Sequence, residues 1–189
     1  MKTFSLYTHY KKILADTITP VSIYLKIRDK FPNSILLESS DYHASDNSFS
    51  YICCNPIASI KVSNGMIFQS FPDGSSKSNL GETVGVTEEI HKFTQRFKVD
   101  SKNDFKFINN GIFGYTAYDA VKYFEDIEIT KKPNSIEIPD IYYAVYQNII
   151  AINHFKNEAY IFAHCFDTEN NIDELLQLIQ TRQYASYDF

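Results

Sequence analysis

Apolar and polar residues alternate through TFSLYTHYKKIL (Thr3 to Leu14) closely enough to predict a strand. The period then lengthens. In TPVSIYLKIRDKF, Val21, Tyr24, Leu25 and Arg28 recur at helical spacing, with Thr19 suited to cap the helix, Pro20 to its first position and Phe31-Pro32 to its end. SILLES and SFSYICC read as further strands, and ASIKVSNGMIFQSF as a hairpin, because Asn64-Gly65 tolerates the two positive φ angles of a tight turn. Pro72-Asp73-Gly74 closes the far end as a second turn.

Thr87 is placed to cap a helix over EEIHKFTQRF with Ile90, Phe93 and Phe97 on one face, and SKNDFKFINN reads as an exposed connection. GIFGYTAYDAVKYFE starts as a strand, in which Gly111 and Gly114 permit close backbone approach, and turns helical near Asp119, where Ala120, Val121 and Phe124 return at helical spacing. DIYYAVYQNIIAINHF, a tight KNE turn and AYIFAHCF predict a long aromatic hairpin. Thr168 or Asn170 then caps a last helix, IDELLQLIQTRQ, facing Ile172, Leu175, Leu176 and Ile179 inward. Strands that come as hairpins, not alternating with helices, predict an α+β fold with antiparallel sheet, and no linker divides residues 1–189 into separate domains.

With 44% hydrophobic residues the chain can build a real core, and a net charge of −5 without a basic block argues against nucleic acid as partner. The first residues lack an apolar leader core, and no apolar stretch approaches the ~20 residues of a membrane span, so a cytoplasmic protein is expected. Cys53, Cys54 and Cys165 show no metal or redox spacing and read as reduced, small hydrophobic residues. There is no glycine-rich phosphate loop, no His-Glu-x-x-His and no Gly-x-Ser-x-Gly. His154 and His164 flank the aromatic hairpin and read as surface or satisfied sheet positions. From the residues alone no catalytic and no metal site is assigned.

Four segments, taken in order, carry a resemblance: LLESS (Leu36 to Ser40), SFSYICCNPIASI (Ser48 to Ile60), GIFGYTAYDAVKYFE (Gly111 to Glu125) and PDIYYAVYQNIIAINHFKNEAYIF (Pro139 to Phe162). Together they resemble the N-terminal region of anthranilate synthase component I, a chorismate-utilising enzyme. The resemblance implies an α+β fold of antiparallel sheets packed orthogonally with flanking helices, here an incomplete part of a longer chain. It implies that the whole enzyme converts chorismate and glutamine or ammonia to anthranilate and pyruvate in tryptophan biosynthesis. Magnesium, a C-terminal chorismate-binding part and a glutamine amidotransferase component II would then be its cofactor and partners, and this chain alone is expected to be inactive.

The same resemblance makes tryptophan an allosteric effector beside LLESS. Glu38 would face its ammonium, Ser39 and Ser40 would line the pocket, and Phe49 and Ser50 would contribute from the next strand, where Ser48 stands in place of a basic residue of many relatives. The chemistry is apt, because an ammonium holds a carboxylate by a charge-assisted hydrogen bond while the preceding leucines offer packing surface. Without the resemblance, Glu38 and Ser39 are simply the strand's exit to solvent. Two other readings stay open: the N-terminal region of aminodeoxychorismate synthase component I, and a free-standing small-molecule-binding domain. Sheet edges left open also predict self-association.

Overall fold

The structure, a computed structural model, describes residues 2–38, 48–80, 85–100, 105–127, 129 and 138–181. Its elements are β1 (Phe4–Leu14), α1 (Pro20–Arg28), β2 (Ile35–Leu37), β3 (Phe49–Ser63), β4 (Met66–Ser70), β5 (Ser76–Leu80), α2 (Val86–Thr94), β6 (Phe97–Asp100), β7 (Phe113–Thr116), a 3-10 helix (Tyr118–Tyr123), β8 (Ile141–Asn153), β9 (Glu158–Cys165) and α3 (Ile172–Gln180). The fold is α+β, as expected. The β1–β9, β2–β3, β3–β4, β4–β5, β7–β8 and β8–β9 ladders are all antiparallel. No helix among the described residues is long and apolar enough to cross a membrane.

Backbone contacts separate two compact units: Ser5–Pro56 with Val99–Gly111 and Tyr146–Phe189, and Met1–Phe4 with Ile57–Lys98 and Ile112–Val145. Strands β3 and β8 contribute to both.

The first unit orders its strands β2-β3-β8-β9-β1. Period-two alternation gives this sheet two chemically different faces. On one face Ile52, Cys54, Ile150, Ile152, Ala159, Ile161, Ala163 and Cys165 pack against Ile23 and Ile27 of α1 and Ile172, Leu175 and Ile179 of α3. Thr19 caps α1 as predicted, its hydroxyl accepting from Ser22 N at 3.1 Å. The inward stripe of α1 differs from the prediction, however: Ile23 and Ile27 are buried while Val21 is 45% exposed. At the other end of this layer, Lys26 Nζ donates to the Ile179 and Thr181 carbonyls, both at 2.7 Å, and so satisfies the C-terminal end of α3.

The opposite face is aromatic. Phe105 and Phe107, from the segment read as an exposed connection, lie against Tyr10, Tyr160 and Phe162, with ring centroids 5.0 to 6.2 Å apart. His164 pins this segment: one ring nitrogen bonds the Asn109 carbonyl at 2.8 Å and the other Thr8 Oγ1 at 3.0 Å. A carbonyl only accepts, so Nε2 carries the proton and Nδ1 accepts from Thr8. Burial lowers the His164 pKa, in keeping with this neutral ring.

In the second unit β4 lies between β3 and β5, and β7 pairs β8. Asn64 (φ 51) and Gly65 (φ 74) make the predicted hairpin turn. Three expectations are corrected here. β3 runs unbroken through Asn55-Pro56, with Asn55 at φ 56, where two strands were predicted. The polar stretch Ser76–Leu80 is a strand, and α2 begins at Val86 with Gly85 rather than Thr87 as N-cap. Phe97 opens β6 instead of ending the helix, and it packs with Phe4 and Phe93 at 5.7 and 5.2 Å. The buried carboxylate of α2, Glu89, accepts from Gln69, Lys77 and Lys92. Burial pushes its pKa up, but the hydrogen bonds and charges of the two lysines outweigh that and hold it low.

Candidate functional site

Strand β2 is three residues long, and its pairing shows how each side chain is aimed. Ile35 lies opposite Cys53, Leu36 opposite Ile52 and Leu37 opposite Tyr51. Leu36 and Ile52 face the helix layer, where both join the core. Glu38 is the residue directly after β2 and is exposed. Ser50, two residues before Ile52, also faces the helix layer, and is buried at 1% exposure. Of the other proposed pocket residues, Ser39 and Ser40 lie outside the described residues.

Phe49 is directed elsewhere. As the immediate neighbour of Ser50 it projects to the aromatic face, stacked on Phe107 at 4.8 Å and next to Tyr51 at 6.1 Å. Tyr51 is tied to the same segment by a hydrogen bond with the Ile108 backbone, while its burial raises its pKa. The structure therefore puts Ser50 on the helix-packed face of the sheet and Phe49 on the other, with Glu38 exposed just past the end of β2.

A residue given no binding role from the sequence completes the rim. His154 is the first residue of the four-residue turn between Asn153 and Glu158, and it is exposed. Its backbone N–H donates to the Ser48 carbonyl at 3.1 Å, and its Nε2 lies 2.7 Å from Ser50 Oγ. It thus holds the start of β3 by both main chain and side chain. His164, the other histidine flanking the hairpin, sits on the aromatic face. Behind this rim, buried Asn148 accepts from Asn55 Nδ2 at 2.8 Å and exchanges hydrogen bonds with Asn171, the residue that precedes α3, at 2.7 and 3.1 Å. That polar triad joins β3, β8 and the start of α3, which fixes the scaffold on which Ser50 stands.

The three cysteines are free and buried, and burial raises all three thiol pKa values, that of Cys54 to about 12, so the packing role read from the sequence is the one the structure supports. Among the described residues no three His, Cys, Asp or Glu side chains come together as ligands for a metal. What the β2–β3 rim shows is an exposed carboxylate directly past β2 and, at the start of β3, a buried hydroxyl hydrogen-bonded to a histidine.

Residues 33–187 match the family described as chorismate binding enzyme, and the chain belongs to that family. The similar proteins include anthranilate synthase component 1 of Lactococcus lactis, 32% identical over 153 residues, which cover 80% of this chain and 31% of that protein. The corresponding protein of Aquifex aeolicus is 26% identical across 92% of this chain and 34% of its own length. Aminodeoxychorismate synthase component 1 of Bacillus subtilis matches at 22% identity over 74% of this chain and 28% of its own. Among solved structures, anthranilate synthase component I of Streptococcus pneumoniae aligns with 89% of this chain and 35% of its own, at 20% identity and a TM-score of 0.48. The chain spans about a third of the length of the relatives it matches.

Proposed function

We propose that this chain is the tryptophan-responsive N-terminal portion of an anthranilate synthase component I. In that proposal the whole enzyme forms anthranilate and pyruvate from chorismate, with magnesium held outside the residues described here and nitrogen delivered by a glutamine amidotransferase partner. The observation that carries the reading is the position of Glu38. Leu36 packs against the core, and two residues later, directly past the end of β2, a carboxylate is exposed, where it can meet an ammonium. Phe49, on the opposite face, is left out of the effector site. The outer strand β5 presents Ser76, Lys77, Ser78 and Asn79, and charged, polar edges discourage strand pairing between molecules, so self-association is not part of the proposal.

The test is an assay of the protein that carries this chain. With chorismate, magnesium and ammonia it should form anthranilate, followed by fluorescence, and L-tryptophan should inhibit it. Replacing Glu38 by Gln keeps the shape and removes the charge; losing a hydrogen bond to a charged group costs about 1.5 to 3 kcal/mol, so the inhibition curve should move by roughly ten-fold to a hundred-fold or slightly more. Superimposable curves would refute the assignment of Glu38. A second reading rests on the match to the Bacillus subtilis protein: should the product be aminodeoxychorismate in place of anthranilate, the chain belongs to that branch.

A further inference from the structure

We propose that Asn110 is a self-modification site, converted to aspartate and isoaspartate by attack of the Gly111 backbone nitrogen on its side chain, and that Tyr123 holds off the same reaction at Asn64. The chain carries two Asn-Gly pairs, Asn64-Gly65 and Asn110-Gly111. In such a pair the glycine, lacking a Cβ, leaves its own nitrogen least hindered and the backbone free to turn it toward the neighbouring side chain. The reaction balances within the chain and water. The glycine N–H gives its proton to hydroxide, the nitrogen bonds to the asparagine side-chain carbon and ammonia leaves; water then opens the cyclic imide at either carbonyl. The sum is amide plus water to carboxylate plus ammonium, with nothing oxidised or reduced.

At Asn64 the nucleophile is held. The two-residue turn closes through the ladder pair Ser63 and Met66, so the Gly65 N–H takes no part in the β3–β4 ladder. The structure supplies another partner: Gly65 N donates to the Tyr123 hydroxyl at 3.3 Å. Tyr123 in turn donates its proton to Asp140 at 2.7 Å, which leaves a lone pair of the hydroxyl for the glycine. Asp140 is 8% exposed and also accepts from Lys122 Nζ at 3.0 Å, so the hydroxyl is oriented by a fixed, charged acceptor. The Gly65 nitrogen can neither lose its proton nor turn to the Asn64 side chain until this bond opens.

Asn110 stands differently. Among the described residues the Gly111 N–H makes no hydrogen bond. Gly111 has φ 130, and a Cβ built on it would meet nothing within 4 Å beyond its chain neighbours, so the backbone there has room to turn. Asn110 is exposed, and its Nδ2 donates to Asn109 Oδ1 at 2.6 Å, a contact that engages the leaving amine and not the carbon to be attacked. The product matters locally, because Asn109 is the residue whose carbonyl His164 binds. Either product puts a negative charge directly after Asn109, and isoaspartate also adds a main-chain carbon there. The modification therefore acts on the anchor that keeps Phe105 and Phe107 on the aromatic face.

The test is incubation of the protein that carries this chain in mildly alkaline buffer, followed by tryptic digestion and mass spectrometry. Asn64 is the one asparagine of the peptide Val62–Lys77, and fragmentation of the peptide Phe107–Lys122 separates Asn110 from Asn109. Each rate is taken relative to the same pair in the urea-denatured protein, which removes differences in neighbouring sequence. On that scale native Asn64 should convert about two- to ten-fold more slowly than native Asn110, the factor that one neutral hydrogen bond is worth. Tyr123→Phe keeps the ring and removes the hydroxyl; it should speed Asn64 by that factor and leave Asn110 unchanged. Native conversion at Asn110 no faster than at Asn64 overturns the proposal, and so does a folded Tyr123→Phe variant in which Asn64 keeps its wild-type rate or in which both sites accelerate alike. Where the variant does not fold, hydrogen exchange in the native wild type decides: a Gly65 N–H that exchanges more slowly than the Gly111 N–H supports the hydroxyl lock, and equal exchange overturns it.

Discussion

Acidification should loosen the aromatic face of the first unit through one group, His164. Its pKa lies below the ordinary 6.5 because burial disfavours the cation, and the Asn109 carbonyl, which favours the protonated ring, only partly offsets this. The sign follows from linkage. The unfolded chain protonates this histidine near its ordinary value while the folded protein does not, so stability is complete above that value and is lost as the pH falls below it toward the folded pKa. If the folded ring stayed neutral throughout, lowering the pH from 7.5 to 5.5 would remove about 1.4 kcal/mol, the free energy of protonating a group of pKa 6.5 one unit below that value. His164→Gln can keep one of the two hydrogen bonds but cannot titrate. The experiment is urea unfolding of wild type and variant at several pH values in that window, above the carboxylate range, with the difference between the two plotted against pH. The other four histidines are common to both proteins and drop out of the difference. The wild type should lose up to about 1.4 kcal/mol more than the variant by pH 5.5. Parallel curves would show that the folded ring binds protons as readily as the unfolded chain does, and that the neutral pinned ring is wrong.

Two further perturbations probe the scaffold. At Gly114 a Cβ would land on the Tyr142 carbonyl and within 2.8 Å of Tyr143 Cα in β8, so Gly114→Ala should destabilise by about 1 to 3 kcal/mol and speed hydrogen exchange in Phe113–Thr116; exchange at the wild-type rate would refute the close approach. Asn148→Leu strips partners from Asn55 and Asn171, and unsatisfied amides of this kind cost about 1 to 3 kcal/mol each, so a loss of about 2 to 4 kcal/mol in urea unfolding is expected, and a loss below about 1 kcal/mol would show that the triad is not coupled.

What could be read from the sequence was local. The Thr19 cap, the Asn64-Gly65 turn, the β8–β9 hairpin and the need for glycine at position 114 each depend on neighbours a few residues away or on backbone geometry that one residue type favours. β5 was missed because SKSNL has no apolar alternation; as an outer strand it pairs through its backbone and needs none. Phe97 fitted a helical stripe equally well as a strand start, and the chain broke the tie by packing it with Phe4, far away in sequence. The same division holds at the site. Glu38 stood out because a carboxylate directly after an apolar run is a local anomaly. His154 did not, since its meaning comes from Ser50, 104 residues earlier.

Parity within β3 decides which of the proposed site residues can act together. Phe49 and Ser50 are adjacent, so a strand with a period of two must send them to opposite faces, and a single small ligand cannot touch both side chains without crossing the sheet. The aromatic partner of Phe49 is therefore already supplied by Phe107, within the fold, and on the other face Ser50 meets His154. On that face β2 is the weak member: three paired residues, with Leu36 as its core contact, against thirteen in β8. An ammonium held by Glu38, as proposed, would engage the chain directly past this short strand. Binding energy would then be spent where the sheet is least constrained, and a ligand that binds there acts first on the position of β2 rather than on the helix-packed core behind it.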